Sequence, residues 1–257
     1  MKAIAVYLLL ILSSLPSAFA EEAKAEEKKA LGHESSLGYV VTGGNSSSET
    51  TSFKQATEYD WSYGLLKLTG HYIQTQGLDV TTNKTNQTAE NWSAALRYEK
   101  VITPERFNLF AQHGWRGDRF QNVREAKDTD VGAKYFWLKN DTSKFFTELG
   151  YRYTKELYVT ADPEKGIHPE YHFVRLFNQY DYSYSKSVNL GLWIEFLPDI
   201  NDFAESQRIN YSPYLTSVLS DLFSLKVAYE GRYRFKAAAP GLKYQDYTFT
   251  TSIIAKY

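Results

Sequence analysis

The stretch Phe223-Ser224-Leu225-Lys226-Val227-Ala228-Tyr229-Glu230-Gly231-Arg232-Tyr233-Arg234-Phe235 alternates between two kinds of side chain. Phe223, Leu225, Val227, Tyr229, Tyr233 and Phe235 share one face, and Ser224, Lys226, Glu230, Arg232 and Arg234 share the other. The next stretch repeats the pattern to its final residue. Tyr247, Phe249, Thr251, Ile253, Ala255 and Tyr257 stand opposite Asp246, Thr248, Thr250, Ser252 and Lys256. A period of two marks a β-strand with one apolar and one polar face. Soluble strands usually run about 5–6 residues. Strands roughly twice that length, with one apolar and one charged face, are what a membrane-spanning barrel requires. The expected fold is therefore all-β: a single antiparallel up-and-down transmembrane β-barrel of about twelve strands. A soluble sandwich or a lipocalin-like barrel would carry the same alternation with its faces reversed. Strand length, the aromatic end and the export signal described next favour lipid on the outside.

Residues 1–20 read as a secretory signal peptide. Met1-Lys2 supplies the positive start, Ala3 to Leu12 the apolar run, and Ala18-Phe19-Ala20 the small-residue cleavage site, with Glu21 first in the mature chain. No cysteine follows, so a lipoprotein anchor is not expected. Residues 21–33 open with the charged run EEAKAEEKK and read as a periplasmic spacer, leaving 34–257 for the barrel. These features point to the outer membrane of a Gram-negative bacterium. The expected partners are outer-membrane lipid and the barrel-assembly machinery, and the chain reads as a monomer.

Composition fits this placement. Aromatics make up 16% of the chain, an excess suited to the two membrane–water interfaces. Past the signal, no apolar run approaches the roughly 18 residues a spanning helix needs. The absence of cysteine excludes disulfides and thiolate chemistry. A formal net charge of −1 gives no reason to expect nucleic acid as a partner.

The connections between the strand-like stretches fall into two sets. Short ones are expected at 62–64, 101–105, 139–143, 184–186 and 219–221. Longer polar ones are expected at 77–86, 120–126, 157–168, 199–205 and 237–243, with 45–48 as a short exception. Short periplasmic turns and longer outer loops are characteristic of such barrels. Tyr59, Trp61, Tyr98, Trp137 and Phe145 gather at one end of the strands; Tyr72, Trp115, Tyr153 and Tyr233 gather at the other. Two stretches fit less well. Pro213 lies within a strand, where the loss of a ladder hydrogen bond suggests a bulge. Around Phe173, Arg175 and Phe177 both faces carry apolar residues.

Several landmarks resemble a known family. Gly38 to Thr50 (GYVVTGGNSSSET) is similar to the glycine-rich opening of the YdiY-like family of salt-induced outer membrane proteins. Arg97-Tyr98-Glu99, Asp118-Arg119-Phe120, Leu197 to Phe203 (LPDINDF) and Gly241-Leu242-Lys243 with Asp246 resemble its later landmarks in order. The resemblance spans about residues 36–257 and implies an outer-membrane β-barrel domain of unknown function. The chain ends in Tyr257, where such barrels more often end in Phe, and Tyr257 is the expected assembly signal.

The inward face should carry the chemistry. On the alternation, the inward cations are Lys67, Arg97, Arg116, Lys134, Arg152, Arg175, Arg208, Lys226, Arg232 and Arg234. The inward anions are Glu99, Asp118, Glu148, Glu156, Asp181, Glu195, Glu230 and Asp246. Such charges can pair and fill a lumen, or line a water-filled pore that selects ions. The excess of two cations would give a pore a weak anion preference. Asp118-Arg119-Phe120 reads first as a strand-end cap with an ion pair to a neighbouring strand. His168, Glu170 and His172 share a face if their strand starts early, although Pro169 interrupts it, and no metal or cofactor is expected. His71 and His113 are possible bases for a lipid hydrolase, but no G-x-S-x-G motif accompanies them and no enzyme activity is expected. The expected role is a narrow porin-like channel for ions or small solutes. The alternative is a closed, salt-bridged envelope barrel, with a lipid hydrolase a distant third.

Overall fold

The computed structural model describes residues 31–42, 48–79, 84–161, 166–203, 206–235 and 244–257. The expected signal peptide and most of the expected spacer lie outside them. Twelve strands form one closed antiparallel barrel in which every strand pairs with its sequence neighbours. They are β1 (Leu31–Thr42), β2 (Ser48–Trp61), β3 (Gly64–Asp79), β4 (Lys84–Thr103), β5 (Phe107–Asp118), β6 (Val123–Lys139), β7 (Ser143–Tyr158), β8 (Glu170–Ser183), β9 (Val188–Pro198), β10 (Gln207–Val218), β11 (Phe223–Arg234) and β12 (Gln245–Lys256). The seam joins β1 to β12. Beyond it, Tyr257 exchanges two backbone hydrogen bonds with His33, at 3.0 and 3.2 Å, and stacks on the His33 ring. Closure leaves no free sheet edge, as a lipid-exposed sheet requires.

The polarity of the barrel is inverted relative to a soluble protein. Leu68, Leu149, Val131 and Ile253 are at least half exposed on the outside. Glu156, Asp130, Glu148 and Glu99 are almost completely buried on the inside. In water, such an apolar girdle would be far larger than the patches soluble monomers carry. The expected pattern of apolar residues outward and charges inward is what the structure has. Stacked aromatics mark both ends of the girdle. Tyr59, Trp61 and Tyr98 pack ring against ring at the end that holds the barrel's termini, and Tyr211, Tyr229 and Tyr247 do so at the opposite end. Among the described residues no helix is long and apolar enough to cross a membrane.

Several expectations are corrected. β1 begins at Leu31, so Leu31, Gly32 and His33 belong to the barrel and not to the spacer. The strands β3 and β4 pair as far as Asp79 and Lys84, which shortens the expected long connection 77–86 to residues 80–83. The expected loop 120–126 is a 3₁₀ turn, Arg119–Gln121, after which Asn122 takes a left-handed conformation at φ 61° and β6 starts at once. Pro213 makes no bulge. Its strand keeps one register against β9 throughout, and the register against β11 is the same on both sides of the proline. The proline faces outward and simply leaves the β11 ladder unpaired at positions 212 and 213. Bulges occur instead between β3 and β4, β4 and β5, β5 and β6, and β6 and β7.

The awkward stretch in β8 also resolves. Phe173, Arg175 and Phe177 all point inward, while Val174 and Leu176 face out. Phe173 is fully buried with Tyr171 and Leu197, so this part of the lumen has an apolar floor beneath its charges.

Candidate functional site

All the inward charges expected from the alternation occupy inward positions, and register decides which of them meet. One ion-pair network spans the half of the lumen lined by β4 to β9, beside a cavity of about 340 Å³ that Arg97, Glu99, Lys134, Glu148 and Arg175 themselves line. Arg97 donates to Glu99 at 2.8 Å and to Glu148 at 2.6 Å. Lys134 donates to Glu99 at 3.0 Å. Arg175 bridges Glu148 at 2.6 Å and Glu195 at 2.7 Å. Arg152 grips both oxygens of Asp130, at 2.6 and 2.8 Å, and reaches Glu195 at 3.1 Å. Asn108 and Asn210 supply the remaining donors to Glu99 and Glu195, at 3.0 and 2.9 Å.

The network contains Arg97, Lys134, Arg152 and Arg175 against Glu99, Asp130, Glu148 and Glu195, so its formal charge is zero. Each of its carboxylate oxygens accepts a hydrogen bond, which is the condition for tolerating buried charge. Phe110 lies within it, 4.2 Å from the Arg97 guanidinium. A side chain at Gly132 would put its Cβ 2.8 Å from that ring, so the glycine makes room for the aromatic.

A second cluster lies towards the end of the barrel opposite the termini. Arg116 donates to Asp128 and to Glu156, each at 2.8 Å. Arg208 donates to Glu156 at 2.8 Å and lies over the Tyr171 and Phe173 rings. Arg234 approaches Glu156 only to 3.8 Å, and Arg232 approaches Asp118 to 3.7 Å. Asp118 is already engaged: it accepts from Asn91 at 2.9 Å and caps the 3₁₀ turn through the Gln121 amide at 3.2 Å. The cap and the ion pair expected for Asp118-Arg119-Phe120 are thus both present, the latter as Arg119 to Glu90 on β4 at 3.9 Å.

The opposite wall is different in kind. Ser36 on β1, Ser52 and Ala56 on β2, Thr69 on β3, Ser93 on β4, Ala228 on β11 and Thr250 and Ser252 on β12 all point inward. Lys54 on this wall pairs with Glu230, and Lys67 with Glu58. Small side chains leave space. A cavity of about 440 Å³ opens at the end holding the termini, beside Glu34, Ala56, Lys67 and Tyr257. It shares Glu34, Ala56 and Lys67 with a central cavity of about 430 Å³. The central cavity shares His71, Ser93 and Trp193 with an outer one of about 320 Å³. Those three residues line both cavities, and among the described residues the buried His71 Nε2 has no hydrogen-bond partner.

Lys54, Glu58, Asp128 and Asp130 were missed in the sequence. The signal existed for the two aspartates, which alternate with the outward Val131, Ala133, Tyr135 and Trp137 of β6. Adding Lys54, Lys144 and Lys256 to the cations, and Glu34, Glu58, Asp128 and Asp130 to the anions, narrows the cationic excess behind the expected weak anion preference.

The structure does not unite the other candidate groups. His172 is hydrogen-bonded to Tyr151 at 2.5 Å and Glu170 is paired with Lys155 at 2.9 Å. His113 bonds Thr129 at 2.9 Å on the outer face, and His71 lies in the lumen. Neither of these two histidines is hydrogen-bonded to a serine among the described residues.

A closed antiparallel barrel of twelve strands, apolar outside and charged within, is a β-barrel of the outer-membrane type. The chain belongs to the family described as "Protein of unknown function, DUF481", whose model matches residues 35–257, consistent with the resemblance to the YdiY-like family. Its fold is similar to that of the COG4313 outer membrane channel from Pseudomonas putida F1, at 7% identity and a TM-score of 0.52, covering 94% of this chain and 100% of that one. It is also similar to the NanC porin, at 12% identity and a TM-score of 0.50, covering 88% and 98%. No curated protein matches the chain.

Proposed function

We propose that the protein resides in the outer membrane of a Gram-negative bacterium and acts there as a narrow channel for ions or small solutes, working as a single chain. The observation that carries this reading is the run of three cavities along the barrel, two beside the small-residue wall and the outer one among the arginines, each sharing lining residues with the next. Similarity to the COG4313 outer membrane channel and to the NanC porin adds the fold alone. A water-filled path beside a rigid, neutral ion-pair wall would pass solutes without strong selection by net charge. Assembly through the barrel-assembly machinery, with Tyr257 as the recognised end, belongs to the same proposal.

The second reading is a closed, structural barrel. The ion-pair network that spans the β4–β9 half favours it. Single-channel conductance of the folded chain in a planar bilayer separates the two. Discrete, small, reproducible steps are expected. Silence from a barrel whose folding is confirmed by a heat-modifiable gel shift would retire the channel and leave the structural reading.

A further inference from the structure

In the outer cavity five arginines stand among Asp118, Asp128, Glu195 and Glu230, yet two of the five make no close ion pair. Arg116, Arg208 and Arg234 all converge on Glu156, whose side chain is fully buried. Two of them hydrogen-bond to it at 2.8 Å. Arg234 stays at 3.8 Å and makes no side-chain hydrogen bond among the described residues, although its side chain is only 16% exposed. Arg232, two residues earlier on the same face and 43% exposed, also lacks one among the described residues, and Asp118, 3.7 Å away, is already engaged elsewhere. A guanidinium offers five donors in a planar fork. Burying one without acceptors is costly, and an oxyanion is the group that matches the fork. Both arginines line the cavity, together with Asn91, Asn210 and Trp193.

We propose that this outer cavity is a binding site for a small organic oxyanion, a carboxylate or phosphate, held chiefly by Arg234 and Arg232. Arg208 stands beside it, and Trp193 offers an apolar face to the rest of the solute. The volume of 320 Å³ corresponds to about ten waters at roughly 30 Å³ each, so the solute is small. The proposal rests on the channel reading for its physiological sense, because the site would sit in the path as a selective station. Its binding chemistry stands independently.

The test is calorimetric titration of the detergent-folded full chain with inorganic phosphate and, separately, with succinate. Saturable binding of either anion is expected, and the tighter of the two identifies the oxyanion class. Arg234→Gln should weaken it at least tenfold, and Arg234→Lys by less, since it keeps the charge and loses the fork. Lys155→Gln, on the outer surface, should leave it unchanged. Should Arg234→Gln fail the heat-modifiable gel shift, Arg232→Gln and Arg234→Lys carry the comparison. No saturable binding of either anion to the wild-type barrel would overturn the site, as would equal affinity in the arginine variants. Binding without conductance would sink the channel and leave the site; conductance without binding would do the reverse.

Discussion

Glu148→Gln tests whether the lumen network is dry and self-compensating. The carboxylate accepts from Arg97 and Arg175, each at 2.6 Å, and lies 3.8 Å from Lys134. The amide keeps the shape and removes the charge, leaving four cations against three anions. Breaking a buried ion pair costs about 3–5 kcal/mol. The lower end applies here, because Arg97 keeps Glu99 and Arg175 keeps Glu195. A loss of about 3 kcal/mol lowers the folded-to-unfolded ratio roughly a hundredfold. Urea titration of the folded barrel, followed by tryptophan emission, reads it directly, with an unchanged slope confirming that the same surface unfolds. The double variant Glu148→Gln with Arg97→Gln restores neutrality. It should be less destabilised than the sum of the singles by about 1–2 kcal/mol, within the range for residues in one network. A single-variant loss below about 1 kcal/mol, the level of an exposed pair, would refute the reasoning. So would strict additivity. Either would mean that lumen water already solvates these groups.

Three further outcomes are expected. Ser252→Trp would place a large ring in the central cavity and should abolish most of the conductance, whereas Ile253→Trp, one residue along and facing lipid, should leave it near the wild-type level; equal conductance in both would place the path elsewhere. Leu149→Arg sets a charge on the lipid face midway along β7, where it is 60% exposed, and should cost about 2–4 kcal/mol in the urea titration; a smaller cost would put that position outside the hydrocarbon. Tyr257→Ser removes the terminal ring while keeping its backbone pairing with His33, and should lower the assembled fraction in cells more than the yield of unassisted refolding; equal losses in both would mean that Tyr257 acts only by packing on the seam.

Much of this barrel was legible in the sequence because a strand has only two faces. Once Phe223, Leu225 and Val227 face out, Ser224 and Lys226 must face in, and no knowledge of neighbours is needed. What stayed hidden depends on register. Arg97 meets Glu148 across 51 residues of sequence, and Arg208 meets Glu156 across 52. These partners are set by the stagger of strands around the barrel, which no local pattern records. Asp128 and Asp130 needed no register, since they alternate with the outward Val131, Ala133, Tyr135 and Trp137. Loop lengths misled where polar residues continued a strand. Thr85 and Asn86 look like a loop, yet they pair with Leu78 and Gly77 in a ladder extended beyond the apolar girdle. Phe173 and Phe177 broke the alternation because arginines in a lumen need aromatic faces beneath them as well as carboxylates beside them.

Strand number alone leaves the lumen of a twelve-stranded barrel undecided. About eight strands are filled by side chains, and about 16–18 leave a wide channel. In this chain the decision passes to side-chain size, which is distributed unequally around the circumference. Arg97, Arg152 and Arg175 reach across β4 to β9 and meet their carboxylates there. Ser36, Ala228, Thr250 and Ser252 leave the facing wall low. A uniform mixture of large and small residues would close a lumen of this width everywhere, because long side chains from opposite walls would meet. Segregation allows a rigid half and an open half in one barrel. The ion pairs fix each guanidinium of the network on carboxylates of other strands, while Arg152 still faces the outer cavity and Arg97 and Arg175 another. Arg232 and Arg234 lie outside that network and line the outer cavity, where the proposed channel would expose them to an entering solute.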